Sequence, residues 1–213
     1  MKKISIYLLL LVSISSIGQT ITNGFVKYKM TSDNEQRAMM GDVFMTNYFD
    51  KENIAMEVDM MNGMVVTKIY KKINDPKSTK MTMNAMGQKY EISGIDENAS
   101  KGVDMADLDN IVTVKVDKAN TKEIAGYKCY KASGNYKEGK TGEFYITENI
   151  NMMSSTKESK LKGFPLEMKI VTPQATLELK ATEVSKELPK DAFIVPEGFE
   201  KVTMEDFQQK MGG

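Results

Sequence analysis

The strongest constraint on this chain is a repeated two-residue alternation of apolar and polar side chains, carried by short segments that Gly, Asn, Asp and Pro separate. Successive side chains of a strand point to opposite faces, so the pattern predicts antiparallel strands with one face buried; helical periodicity is scarce. Gly24 to Met30 sets Phe25, Lys27 and Lys29 against Val26, Tyr28 and Met30. Asn53 to Met60 places Ile54, Met56, Val58 and Met60 on one face, with Glu57 and Asp59 on the other. Met61-Asn62-Gly63 joins this run to Met64–Lys72, and Asn-Gly is the strongest short hairpin signal. Asn74-Asp75-Pro76-Lys77 predicts a turn before Thr79–Met83, so residues 42–92 read as a meander of neighbouring strands.

From Gly94 to Asn110 the alternation fails, and Gly94, Asp96, Glu97, Asn98, Ser100, Gly102 and Asp104 predict a long polar loop with one helical turn at Met105 to Leu108. A second run of strands follows: Val112, Val114 and Val116 alternate, then come Tyr127–Ala132, Gly142–Thr147, Leu166–Thr172 and Ala175–Val184. Ser155 with Glu158, and Thr203 with Asp206, stand at capping spacing and predict two short helices, the second over Met204–Met211. The expectation is a mainly β fold: one large antiparallel sheet of about ten strands, too wide to stay flat, which curls to bury its apolar face. Full closure makes a barrel. An open sheet leaves an apolar concavity, covered by the 94–110 loop and the short helices.

The N-terminus limits where such a domain works. Lys2 and Lys3 precede a nine-residue run from Ile4 to Val12 that only Ser5 interrupts, and Ser16-Ile17-Gly18 supplies the small residues of a cleavage site. Residues 1–18 therefore read as a secretory signal peptide, and residues 19–213 as a single β-rich envelope domain, periplasmic or secreted. The apolar run is too short to span a membrane, and no cysteine stands at the cleavage point to carry a lipid, so no membrane anchor is expected. The mature chain would carry 27 basic and 29 acidic residues. That balance, with lysines interleaved among acids as in Lys115-Val116-Asp117-Lys118, argues against a nucleic-acid partner. Cys129 is the one cysteine, so no internal disulfide forms, and it reads as a small buried apolar side chain.

The chain has no histidine. That removes Ser-His-Asp and Cys-His arrangements, His-ligated metal sites and imidazole acid-base chemistry. Ser154 with Lys157 and Ser159 with Lys162 have dyad spacing, but in so lysine-rich a chain they read as surface serines, and no catalytic residue is assigned. Asp104, Asp107 and Asp109 beside Asn110 offer oxygen ligands, yet without the order of a calcium loop they read as a solvated loop. No metal site or cofactor is assigned. Methionine is the unusual residue: there are 18, ten of them between Met39 and Met86. They serve as core filler, as an adaptable apolar surface, or as soft thioether ligands for Cu(I). Met56, Met60, Met81 and Met83 share faces with Ile54 and Val58 or stand opposite lysine and threonine. Ile54, Met56, Val58, Met60, Met81 and Met83 are therefore the candidate ligand-binding face.

Three segments occur in order in the second half: Ile124-Ala125-Gly126-Tyr127-Lys128-Cys129, Gly163-Phe164-Pro165-Leu166-Glu167-Met168, and Phe193-Ile194-Val195-Pro196-Glu197-Gly198-Phe199. In order and spacing they resemble an uncharacterised family of exported Bacteroidetes proteins. That family is similar to the GLPGLI-signature family, whose motif falls where Gly163-Phe164-Pro165-Leu166 stands here. Both resemble the LolA and LolB lipoprotein carriers, and the resemblance covers nearly all of the mature chain. It implies a half-open antiparallel barrel whose concave apolar face holds acyl chains, with Gly126 starting a strand and Cys129 buried; it implies no established activity. The chain departs from LolA and LolB in having no tryptophan and more methionine. The expected role is a non-catalytic envelope protein shielding a lipid, a lipoprotein acyl chain or an exposed protein segment. The alternative is a Met-rich Cu(I)-binding or sensing protein that uses Met81, Met83 and Met86.

Overall fold

A computed structural model describes residues 20–34, 41–95, 108, 110–152 and 159–211. The alternating runs form strands β1 (Gly24–Ser32), β2 (Val43–Phe49), β3 (Asn53–Met60), β4 (Val65–Lys72), β5 (Asp75–Ala85), β6 (Gln88–Ser93), β7 (Ile111–Ile124), β8 (Tyr127–Tyr136), β9 (Thr141–Thr147), β10 (Phe164–Val171), β11 (Thr176–Ser185) and β12 (Glu200–Thr203). Helix α1 (Met204–Met211) follows β12 directly. All twelve strands belong to one sheet, in the order β12-β6-β5-β4-β3-β2-β1-β11-β10-β9-β8-β7. Two meanders, β1 to β6 and β7 to β11, meet where β1 pairs with β11, and β7 and β12 are left as edges of an unclosed sheet. The mainly β, single-sheet fold expected from alternation is the fold observed.

The sheet curls strongly. Phe49 of β2 and Phe164 of β10 are separated by β1 and β11, which in a flat sheet would hold them ~14 Å apart at the usual strand spacing. Their ring centroids lie 6.2 Å apart, so this face is the concave one. Tyr28 of β1 donates its hydroxyl to the Pro165 carbonyl at 2.8 Å across the same interior. Beyond the strand ends, Ile21 bridges Ile150, with Ile21 N–H donating to Asn149 and Asn151 N–H to Ile21, both at 2.8 Å. That bridge draws the start of β1 against the end of β9 and closes one rim.

Three of the segments singled out in sequence have structural reasons. Ala125 and Gly126 take φ of 49° and 81° between the paired Ile124 and Tyr127, the tight turn that a right-twisted hairpin favours. Gly163 has φ of 127°, and a Cβ there would lie 3.2 Å from Ile146 and 3.3 Å from the Thr147 carbonyl, so glycine lets β10 enter against β9. Phe164 and Leu166 then point into the core. The segment from Val195 to Phe199 runs across the outward face beside Lys80 and Glu91, with Lys89 Nζ 5.9 Å from the Phe199 ring centre. Ala55, Tyr70 and Thr82 are buried although they point away from the main core, and Asp191 lies near enough to Tyr70 to disfavour its ionised form.

Some expectations shift. The turn expected at Asn74-Asp75-Pro76-Lys77 falls at Ile73-Asn74, and β5 already starts at Asp75. The irregularity between Tyr70 and Lys72 puts Pro76 in a bulge, where its missing N–H costs no ladder bond, and Lys72 N–H donates to Ser78 Oγ instead. The sheet has twelve strands rather than about ten; β12 carries no alternation to mark it and pairs parallel with β6. Val112 and Val116 are 41% and 42% exposed because β7 is an edge strand whose register breaks between Ile111 and Thr113. Ser159 is not a surface serine: it is buried, donates to the Leu108 carbonyl and accepts from Leu161 N–H, both at 3.2 Å. Lys162 Nζ meets the Ser159 carbonyl, not its hydroxyl. The signal segment, Asp104, Asp107, Asp109, Ser154, Lys157 and the helix expected after Ser155 lie outside the described residues.

Candidate functional site: the half-covered concave face

Pairing registers decide which side chains share the concave face. Three rows cross the sheet: Asn47-Met56-Ile69-Met81-Ile92 and Met45-Val58-Thr67-Met83-Tyr90 from β2 to β6, and Met60-Val65-Ala85-Gln88 from β3 to β6. Ile54 lies on the same face beside Phe49. Thus Ile54, Met56, Val58, Met60, Met81 and Met83 are brought together, and each is half-buried. The sequence reading omitted Val65, Thr67, Ile69, Ala85, Tyr90 and Ile92. In β4 both faces carry apolar residues, Val65 and Ile69 on one and Val66 and Tyr70 on the other, so only the pairing of Met60 with Val65 tells them apart.

Burial along this continuous face is uneven. Around β1 and β8 to β11 the interior is filled by fully buried side chains, among them Tyr28, Phe144, Ile146, Leu166, Met168 and Leu179, and by Leu108, Ile150, Met152 and Leu161 from the connections. Across β3 to β5 the same face is only partly buried, apart from the buried Ile69. Its far side is covered by α1: Phe207 packs edge-on against Tyr90 at 5.6 Å, and Lys210 pairs with Glu200. The helix expected from Thr203 and Asp206 is present and packs on β6 and β12, at the edge of this face. Asp206 N–H donates to Thr203 Oγ1 at 3.1 Å, and Thr203 Oγ1 donates to Asp206 Oδ2 at 2.7 Å.

At one end of the face the β3–β4 and β5–β6 hairpin tips are joined, Met86 N–H donating to the Met64 carbonyl at 2.8 Å. Met86 thus stands at a tip and apart from Met81 and Met83, which lie on the strand face. Among the described residues, no group of three or more His, Cys, Asp or Glu side chains is arranged to hold a metal ion.

The opposite, convex face has another chemistry. A cleft of about 470 Å³ is lined by Lys29, Lys122, Glu143, Glu167, Lys169, Glu178 and Lys180, and its charges are matched in pairs: Lys122 with Glu167, Lys169 with Glu178 at 2.8 Å, and Lys29 with Asp42 at 2.7 Å. On β2 to β4, Lys68 lies 4.4 Å from the Tyr48 ring centre and 3.5 Å from Glu57. Burial, with Glu57 nearby, pushes the Tyr48 hydroxyl up to about 12.

Cys129 is fully buried, and burial pushes its thiol up to about 11. Ala132 is buried too, three positions on, so the inward phase of β8 changes between them; facing this stretch, the register of β7 shifts between Asp117 and Thr121.

Among the described residues, no helix is long and apolar enough to cross a membrane. No family model matches the chain, and no curated protein matches it. Among solved structures, the chain is similar to the Mycobacterium tuberculosis lipoprotein LppX, at 8% identity and a TM-score of 0.45 over 78% of this chain and 89% of that one. It is also similar to LprF from Mycobacterium bovis, at 13% identity and a TM-score of 0.41 over 78% and 88%. A DUF1329 family protein from Desulfovibrio piger matches at 10% identity and a TM-score of 0.40 over 85% and 92%. Likeness at this level carries no argument.

Proposed function

We propose that this is a non-catalytic protein of the cell envelope that shields an acyl chain on the concave face of β3 to β5. The observation that carries the reading is the contrast along one face: fully packed beneath β1 and β8 to β11, only partly buried where Ile54, Met56, Val58, Met60, Met81 and Met83 lie. A contiguous apolar face left in contact with water marks an interaction site. Each methylene withdrawn from water contributes about 0.8 kcal/mol, and unbranched methionines adjust to chains of differing length. The signal-like N-terminus supports an envelope location, where acylated molecules must cross water between membranes.

The test is native mass spectrometry of protein purified from its own envelope, together with titration of a fluorescent fatty acid. A co-purifying lipid, and saturable uptake lost in the double variant Val58→Asp, Met83→Asp, are expected. Recovery without lipid and without saturable uptake overturns the reading.

A further inference from the structure

Met61, Met64 and Met86 occupy positions that favour other residues. They are 37%, 50% and 70% exposed, so burial does not reward their apolar side chains. Met61 and Met86 have φ of 55° and 53°, a left-handed backbone that costs a residue with a Cβ and that Gly, Asn or Asp normally fills. In the β5–β6 hairpin, Ala85 pairs with Gln88 and leaves Met86-Gly87 as a two-residue turn, where Asn-Gly or Gly-Gly is the usual choice.

The three also converge. Met64 N–H donates to the Met61 carbonyl at 3.3 Å, and Met86 N–H donates to the Met64 carbonyl at 2.8 Å, so their backbones are immediate neighbours. Gly63 N–H donates to Asp59 Oδ1 at 2.8 Å, which holds the β3–β4 tip in shape and leaves a carboxylate beside it. Each methionine has flexible bonds enough to bring its sulfur over the junction of the tips. Three neutral thioethers make a soft donor set that selects Cu(I) over hard or borderline ions, and the nearby carboxylate favours a cation.

We propose that Met61, Met64 and Met86 form a binding site for Cu(I) at the joined hairpin tips. This is independent of the acyl-chain reading, which uses the strand face and not the tips.

The mature protein is titrated with Ag(I), a redox-inert probe of the same softness, and anaerobically with Cu(I) against a chromophoric chelator. One saturable equivalent is expected, with the methyl NMR signals of Met61, Met64 and Met86 shifting together and those of buried Met45 and Met168 unmoved. The triple variant Met61→Leu, Met64→Leu, Met86→Leu loses saturable binding, while Met81→Leu, Met83→Leu keeps it. Leucine preserves the apolar surface at the tips, so a purely hydrophobic contact would survive the change and a sulfur site would not. Absence of saturable binding, its persistence in the triple variant, or its loss in the Met81, Met83 variant each overturns the proposal.

Discussion

At the residue scale, Cys129 shows how environment decides chemistry. Its thiol is fully buried and bonds the Tyr127 carbonyl at 3.4 Å. Burial disfavours the thiolate first; Lys122 pulls the other way and Glu167 adds to the rise. A thiol reagent is therefore expected to leave Cys129 untouched in the folded protein and to label it on unfolding. Cys129→Ser places a hydroxyl in the apolar interior and costs about 1 to 3 kcal/mol, measured by denaturant unfolding, while Cys129→Ala costs less. The thiol also sets an alkaline limit. The unfolded chain loses this proton near 9.0 and the folded one near 11, so within that window the unfolded state binds fewer protons and stability falls as pH rises. Replacement by alanine flattens that part of the stability profile.

At the element scale, α1 depends on its first turn. Thr203 and Asp206 exchange hydrogen bonds as a capping pair, and these bonds hold the Asp206 carboxyl below its usual range. A depressed carboxyl stabilises the helix fully above its ordinary value of 3.8, and the contribution is lost as pH falls through the lower folded value. Protection of the α1 amides, taken relative to the intrinsic exchange rate at each pH, is expected to fall in acid before that of the strands, and Thr203→Ala to lower it already at neutral pH. Unchanged exchange in that variant would mean that the Phe207–Tyr90 contact alone holds the helix. The spacing of Thr203 and Asp206 was legible because capping is local chemistry. β12, directly before it, was not, since a four-residue strand is defined by the partner it finds.

At the scale of the molecule, one sheet has two interiors. Leu166 is fully buried where the core is filled, so Leu166→Ala should cost about 3 kcal/mol. Val58 lies half-buried on the open part of the same face, and Val58→Ala should cost about 1 kcal/mol. Paired denaturant curves check this. Equal losses would mean that the face over β3 to β5 is packed like the rest and has no room for a ligand. With an acyl chain bound, the Val58→Ala loss should grow, because the chain supplies the contacts that are absent without it.

What the sequence determined by itself is whatever repeats at short range: strands from two-residue alternation, a hairpin turn from Asn62-Gly63, the cap of α1, and the common face of Ile54, Met56, Val58 and Met60; Gly126, expected to start a strand, instead lies in the turn before β8. Tertiary structure decided what depends on partners far along the chain. The inward face of β4 follows from register with β3, and the burial of Ser159 from Leu108 on another connection. Tertiary structure likewise decided the burial of Ala55, Tyr70 and Thr82 on the outer face, which alternation assigns to solvent. Alternation says that two faces differ; only curling, which brings Phe49 to Phe164, says how much of the inner face is filled and how much is left open.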